Sequence, residues 1–296
     1  MIVDIRTRLF TGRDPIGSAG ARLKAKPDVD ASSDAHRRAM HLVDAAVLVG
    51  WRSDRLAVHL PSEHIAAAVN EAPEYRLGFA PVDATADSAL DDIDAAVELG
   101  MAGLTFCPAD QGIRPTDDRA LALFERAALR KLPVLVANPC LTAPQSVLEF
   151  ARPSLLDEAA RTVPNLTLVL GDLGQAFQDE TLVLIAKHEK VYAEISSVVS
   201  RTWALYTTLL NAHERGVMNK LLFASGFPLE TPERAIERLY TVNSFRGASG
   251  LPGIPREAIR SIVERNALET LSIDAPVAPS RPRSSPTPAP THSRAL

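Results

Sequence analysis

Residues 77–83 read LGFAPVD, residues 100–108 GMAGLTFCP, residues 132–138 LPVLVAN and residues 164–174 PNLTLVLGDLG. Each holds a short apolar run with little polar alternation, the pattern of a parallel strand buried on both faces. Working outward, the same pattern predicts eight strands: Ile2–Ile5, Ala46–Val49, Leu77–Pro81, Gly103–Phe106, Val134–Ala137, Leu166–Leu170, Val191–Ile195 and Leu221–Ala224. Helical stretches fall between them. Ser88–Leu99 places Leu90, Ile93 and Val97 on one stripe. Asp117–Arg130 opens on acidic residues and ends on Arg126, Arg130 and the following Lys131, as the helix dipole favours. Glu233–Asn243 and Arg256–Leu271 read as two more helices. Strands and helices in strict alternation give an α/β fold, either a closed (β/α)8 TIM-type barrel or an open doubly wound sheet. No glycine-rich loop follows the first strand, which speaks against the dinucleotide-binding open sheet.

The totals agree. The chain has 296 residues, the size of one such barrel, and 46% of them are hydrophobic, enough for a large core. Residues 275–296, APVAPSRPRSSPTPAPTHSRAL, hold six prolines and no acidic residue, which predicts a disordered tail after a barrel spanning 1–274. The tail carries three of the 32 basic residues, leaving 29 against 36 acidic ones in the barrel, a net charge of −7. That balance gives no basis for nucleic-acid binding or for an acidic membrane surface. No apolar run is long enough to span a membrane, and the opening MIVDIRTRLF lacks the pattern of a secretory signal. Two cysteines, Cys107 and Cys140, are too few for a disulfide framework and predict a cytoplasmic setting.

Several segments together resemble the amidohydrolase-related proteins, in the branch of aminocarboxymuconate semialdehyde decarboxylase. Val3–Leu9, VDIRTRL, is similar to the family's opening Asp-x-His-x-His strand. The four segments quoted above resemble its third to sixth strands, Leu222–Pro228, LFASGFP, its eighth, and Ile262–Leu271, IVERNALETL, its closing helix. The resemblance covers roughly residues 1–273 and implies a metal-dependent hydrolase-like barrel.

The implied metal positions are replaced. Arg6 and Arg8 stand for the two histidines of the first strand, Ala137 and Asp172 for the histidines after the fifth and sixth, and Gly226 for the aspartate after the eighth. A guanidinium stays protonated and offers no lone pair, and alanine and glycine offer no donor. One carboxylate does not make a zinc site, so no metal and no other cofactor is expected.

Functional residues of a barrel lie at the C-terminal ends of its strands, which predicts Arg6, Arg8, Cys107, Asn138, Asp172, Glu194, Ser196 and Ser225 at or near one face. The arginines have two readings, which can coexist. They pair with Asp172 and Glu194 and fill the metal cavity as a salt-bridge network. Or at least one grips a carboxylate or phosphate. The ligand-binding candidates are Arg6, Arg8, Asn138, Asp172 and Glu194, with Asp172 the candidate acid or base. Cys107 and Cys140 lack a matched histidine and read as apolar filler. His36, His41, His59, His64, His188 and His213 read as surface or helix-packing residues, and Trp51 and Trp203 as lining or covering the barrel mouth. Ser225-Gly226 lacks the flanking glycines of a nucleophile elbow.

Three functions follow as expectations. The first is a barrel without metal catalysis, a non-catalytic binding or structural subunit that takes a small anionic ligand and partners a second copy or an active homologue. The second is a metal-independent hydrolase or decarboxylase of a small carboxylated substrate. The third is a zinc hydrolase with ligands recruited from elsewhere. The tail's composition gives it nothing to pack, so truncation after Asp274 should change the unfolding free energy by less than about 1 kcal/mol. Denaturant unfolding of the two chains measures this.

Overall fold

The computed structural model of the protein describes residues 1–10, 29–139, 141–247 and 250–276. Cys140 and the tail from residue 277 onward lie outside the described residues, so the expectations about them are not addressed by it. Eight parallel strands form one sheet: β1 (Val3–Thr7), β2 (Ala45–Val49), then β5 (Arg76–Val82), β6 (Gly103–Phe106), β7 (Val134–Val136), β8 (Leu168–Leu170), β9 (Val191–Glu194) and β10 (Leu221–Leu222). Between β2 and β5 lies an antiparallel hairpin, β3 (Trp51–Ser53) and β4 (Val58–Leu60). Each of the eight sheet strands matches a run read from the sequence. The hairpin does not, because its two three-residue strands are too short to carry a period.

The sheet curls until its edges meet. Ile5 N donates to Phe223 O at 3.2 Å, Gly226 N to Arg6 O at 3.2 Å and Arg8 N to Phe227 O at 3.0 Å. The fold is a (β/α)8 barrel. Alternate residues of the strands face the interior: Val3 and Ile5, Ala45, Val47 and Val49, Phe79, Leu135, Val169 and Leu222 form one apolar cluster. The intervening residues, among them Ala46, Leu48, Leu104, Phe106, Val134 and Leu168, pack in a second cluster with the helices. Phe79 fits inside because a Cβ on Gly103 would lie 2.6 Å from its ring. Ala267, Leu268 and Leu271 join the interior cluster beside Leu77 and Ala102 and close the end where the strands begin. Chemistry is thereby left to the opposite end.

Three helix readings need correction. Helix Ala89–Glu98 buries Ala89, Ile93 and Ala96 with Leu90 packed against the core, whereas Val97 is exposed, so only Val97 departs from the expected stripe. The stretch Arg256–Leu271 is two helices, Arg256–Glu264 and Ala267–Thr270. Arg265 is extended there, and the Asn266 side chain accepts from Glu269 N as an N-cap, which starts a new helix rather than continuing the old. Glu233–Asn243 is helical over Pro232–Tyr240 and then tightens to a 3₁₀ turn, Val242–Arg246. Asp117–Arg130 is borne out as helix Asp118–Leu129, with Asp117 as its N-cap.

Asp4 sits at the closing seam. Its Oδ1 accepts from Arg6 N at 3.2 Å and from Ser225 N at 3.1 Å, while Oδ2 is buried without a partner. Burial pushes this carboxyl up to about 7, aided by the charge of Glu194 and opposed by its hydrogen bonds. A carboxyl whose folded value is raised holds a proton that the unfolded chain has already lost. Its contribution is therefore present below the unfolded value of 3.8 and is lost as pH rises towards about 7. In Asp4→Asn this component should vanish. The wild-type-minus-mutant unfolding free energy should fall between pH 4 and 7 by on the order of a few kcal/mol. A difference that is flat or rising over that range contradicts the assignment.

Candidate functional site

Strict alternation along β1 would send Arg6 away from the interior that Val3 and Ile5 face. The pairing of β1 with β2 shifts register between Asp4 and Thr7, and a shift of this kind re-aims a side chain. Arg6 reaches over the strand ends. Its Nη1 lies 2.5 Å from Glu194 Oε1 and 2.6 Å from Asp172 Oδ1, and donates to Ser196 Oγ at 3.2 Å. All these side chains are buried, with Arg6 4% and Glu194 0% exposed. Burial alone would lower the guanidinium, but the charges and hydrogen bonds of Asp172 and Glu194 outweigh it and hold Arg6 above its ordinary range. Burial would raise Asp172, but Arg6, then Gln175 and Arg8, hold it below the usual carboxylate range.

The carboxylates are fixed from every side. Glu194 accepts from Asp172 N and, through Oε2, from Ser196 N at 2.6 Å. Asp172 Oδ1 accepts from Ser196 Oγ at 3.1 Å and Oδ2 from Gln175 Nε2 at 3.1 Å. Gln175 also donates to Asn138 O at 3.0 Å. The turn that presents Asp172 has positive φ throughout: Asp172 has φ 56°, Leu173 φ 50°, Gly174 φ 69° and Gln175 φ 52°. Non-glycine residues in this region each cost about 1–2 kcal/mol, a strain that gathers where geometry is over-determined. Ala137, at the end of β7, abuts the same turn: a Cβ on Gly171 would lie 2.6 Å from its own.

Arg8 differs. Of the two readings open to the arginines, Arg8 does not take the pairing one: among the described residues it has no ion pair or hydrogen bond to a carboxylate. It is half-buried, its Cζ lies 5.5 Å over the Trp51 ring, and its Nε is buried without a partner. Burial and the like charge of Arg6 lower it to about 10, against the pull of Asp172, Cys107 and Glu194. It remains a cation at neutral pH. The reason for the split is geometric: Arg6 already takes both carboxylates, and Arg8, two residues on, stacks on the hairpin instead.

The remaining candidates are placed as follows. Asn138 lies beside the cluster, but its Oδ1 accepts from Ala109 N at 2.8 Å, so the amide caps the first turn of the short helix Pro108–Gln111. Cys107 is buried at the end of β6. Ser225 Oγ accepts from Phe227 N. Gly226 has φ 75° and a Cβ there would lie 3.0 Å from Ser196 Cβ, so an aspartate would be strained at this position. His36 is a helix-packing residue, fully buried: Nε2 lies 3.1 Å from Thr7 Oγ1, and Phe227 meets it edge-on at 5.3 Å. Burial, then Arg76, drives it down to about 3, so it is neutral. Trp51 is buried on the hairpin, whereas Trp203 is 61% exposed on helix Thr202–Glu214. Gln175 was not foreseen; nothing in a lone glutamine marks it, and only its backbone and two hydrogen bonds do. Among the described residues no group of three or more His, Cys, Asp or Glu is placed to hold a metal, and no helix is long and apolar enough to cross a membrane.

The family model described as amidohydrolase matches residues 4–273. The chain belongs to the amidohydrolase family. Solved structures share its fold. A TIM-barrel protein from Bordetella bronchiseptica superposes with a TM-score of 0.72 at 16% identity, covering 92% of this chain and 98% of that one. A 5-carboxyvanillate decarboxylase from Sphingomonas paucimobilis gives 0.65 at 12%, covering 92% and 99%. A probable 2-pyrone-4,6-dicarboxylic acid hydrolase from Acinetobacter baumannii, with citric acid bound, gives 0.63 at 15%, covering 92% and 99%. No curated protein matches the chain.

Two substitutions separate the arginine environments. Asp172→Ala removes one of two anions from a buried cation and should cost about 3 kcal/mol of stability. Arg8→Met removes a cation that has no carboxylate partner among the described residues and should cost less than about 1 kcal/mol. Denaturant unfolding of both variants would expose the reverse order if the roles were exchanged.

Proposed function

We propose that this amidohydrolase barrel is a metal-independent binding protein whose open cation, Arg8, takes a small anionic ligand. The observation that carries the reading is Arg8 itself, a half-buried guanidinium at the strand ends, stacked on Trp51 and, among the described residues, without a carboxylate partner. A partly buried cation without a counter-ion is costly, and an anion from solvent relieves that cost.

The residues present do not fit the divalent cation that the family resemblance implies. The Arg6 Nη1 lies between Asp172 and Glu194, so the two carboxylates that could ligate a metal already hold a fixed cation. A metal entering there would face a guanidinium with no lone pair to give. Asp172 is poorly suited to act as acid or base in a metal-free hydrolase or decarboxylase. Both of its oxygens accept hydrogen bonds and its carboxyl is held below the ordinary range, so it carries no proton at neutral pH and binds one weakly. The named substrates of the neighbouring decarboxylase and hydrolase are carboxylated, and one neighbour holds citric acid, which supports an anionic ligand without implying a shared reaction.

Two measurements test the reading. Elemental analysis of protein expressed with Zn, Mn and Fe supplied should find no stoichiometric metal. A full equivalent whose removal by chelator abolishes a function contradicts the proposal. In a thermal-shift screen against acetate, citrate and phosphate, at least one anion should stabilise the wild type, by about 2.7 kcal/mol at a hundred times its Kd. That shift should disappear in Arg8→Met, and an undiminished shift would place the anion elsewhere.

A further inference from the structure

Three buried donors carried by Arg6, Arg8 and Trp51 are unsatisfied. Nε of Arg8, Nε of Arg6 and Nε1 of Trp51 are buried with no hydrogen-bond partner among the described residues. Guanidinium and indole nitrogens donate and cannot accept. Arg8 lies over the indole ring, its Cζ 5.5 Å from the ring centroid. Leaving such donors unsatisfied costs free energy, and an acceptor with no hydrogens of its own answers them best. A carboxylate has that character, and its two oxygens match the planar fork of an arginine.

Charge then limits the ligand further. Arg6, Arg8, Asp172 and Glu194 sum to zero, and the field of both carboxylates reaches Arg8. Asp4, which feels Glu194, adds negative charge as it ionises. A monoanion takes this balanced cluster to −1, whereas a dianion takes it to −2 beside two fixed carboxylates in a poorly solvated place. We propose, building on the anion-binding reading above, that the ligand is a monocarboxylate whose carboxylate takes the Arg8 guanidinium and the Trp51 indole N–H, and that the site discriminates against dianions.

Isothermal titration of the full chain at pH 8 and constant ionic strength tests this, with acetate and benzoate against inorganic phosphate and succinate. At least one monocarboxylate should bind about tenfold or more tightly than either dianion, because like charges brought together inside a binding site cost several kcal/mol. Trp51→Phe keeps a ring under Arg8 and deletes the N–H. It should weaken the monocarboxylate about tenfold, as loss of a hydrogen bond to a charged group does. Phosphate or succinate binding as tightly as the monocarboxylates overturns the charge selection, and this comparison needs no variant. An unchanged affinity in a folded Trp51→Phe overturns the indole contact. Heat from none of the four probes instead overturns the anion-binding reading on which the proposal rests.

Discussion

A guanidinium cannot shed its proton, so once Arg6 is buried the surrounding chain must bring anions to it. It does so from two strands. Glu194 arrives at the end of β9 and Asp172 on the turn after β8, and both meet one nitrogen of a side chain carried by β1. The ion triad thus ties the first strand to the sixth and seventh of the ring across the mouth of the barrel. Its desolvation cost is offset because nearly every acceptor is used: Glu194 also takes the backbone N–H groups of Asp172 and Ser196, and Asp172 takes Ser196 and Gln175. Such a network adds little net stability over an apolar filling, and breaking it is expensive. What it provides is definition of the mouth.

The turn of positive φ shows how far that definition goes. Asp172, Leu173 and Gln175 each adopt a conformation that L-residues avoid, and they are held there by groups they do not themselves supply. Glu194 grips the Asp172 amide, Ser197 Oγ donates to the Asp172 carbonyl, and Leu173 is fully buried. Ala137 and Gly171 approach too closely to leave room for a larger side chain at position 171. Small residues on one strand end therefore admit the strained turn of the next, and the turn in turn aims the carboxylate.

Much of the barrel was legible in the sequence because a strand buried on both faces leaves an unbroken apolar run, and the runs are regularly spaced. The order Arg6, Asp172, Glu194 was legible for a related reason, since each ends such a run and the ends share one face. The hairpin at Trp51–Leu60 was not, because three-residue strands carry no period. The break at Arg265 escaped because apolar spacing continues across it while the backbone does not. That Arg6 and Arg8 could divide the two roles was legible, but not which of them takes which. Two residues of the same type, two positions apart, are indistinguishable by pattern, and only the register shift on β1 and the position of Trp51 tell them apart.

That split shapes what the site can do. Below, the cluster is charge-balanced and nearly saturated with hydrogen bonds, so it has little to offer a ligand. Arg8 and Trp51 hold buried donors without acceptors among the described residues, on a hairpin whose buried Ser53 Oγ anchors to Asp110 O at 2.8 Å. Gln111 ties the base of the same hairpin to β5 through Arg52 O and Val82 O. The indole under Arg8 is therefore set on a braced element, and a planar cation stacked on it keeps its edge directed rather than free to swing. Pre-orientation of this kind lowers the entropy lost when an anion is gripped. Arg8 thus lies over the hairpin, while Arg6, two positions earlier, is enclosed by its two carboxylates.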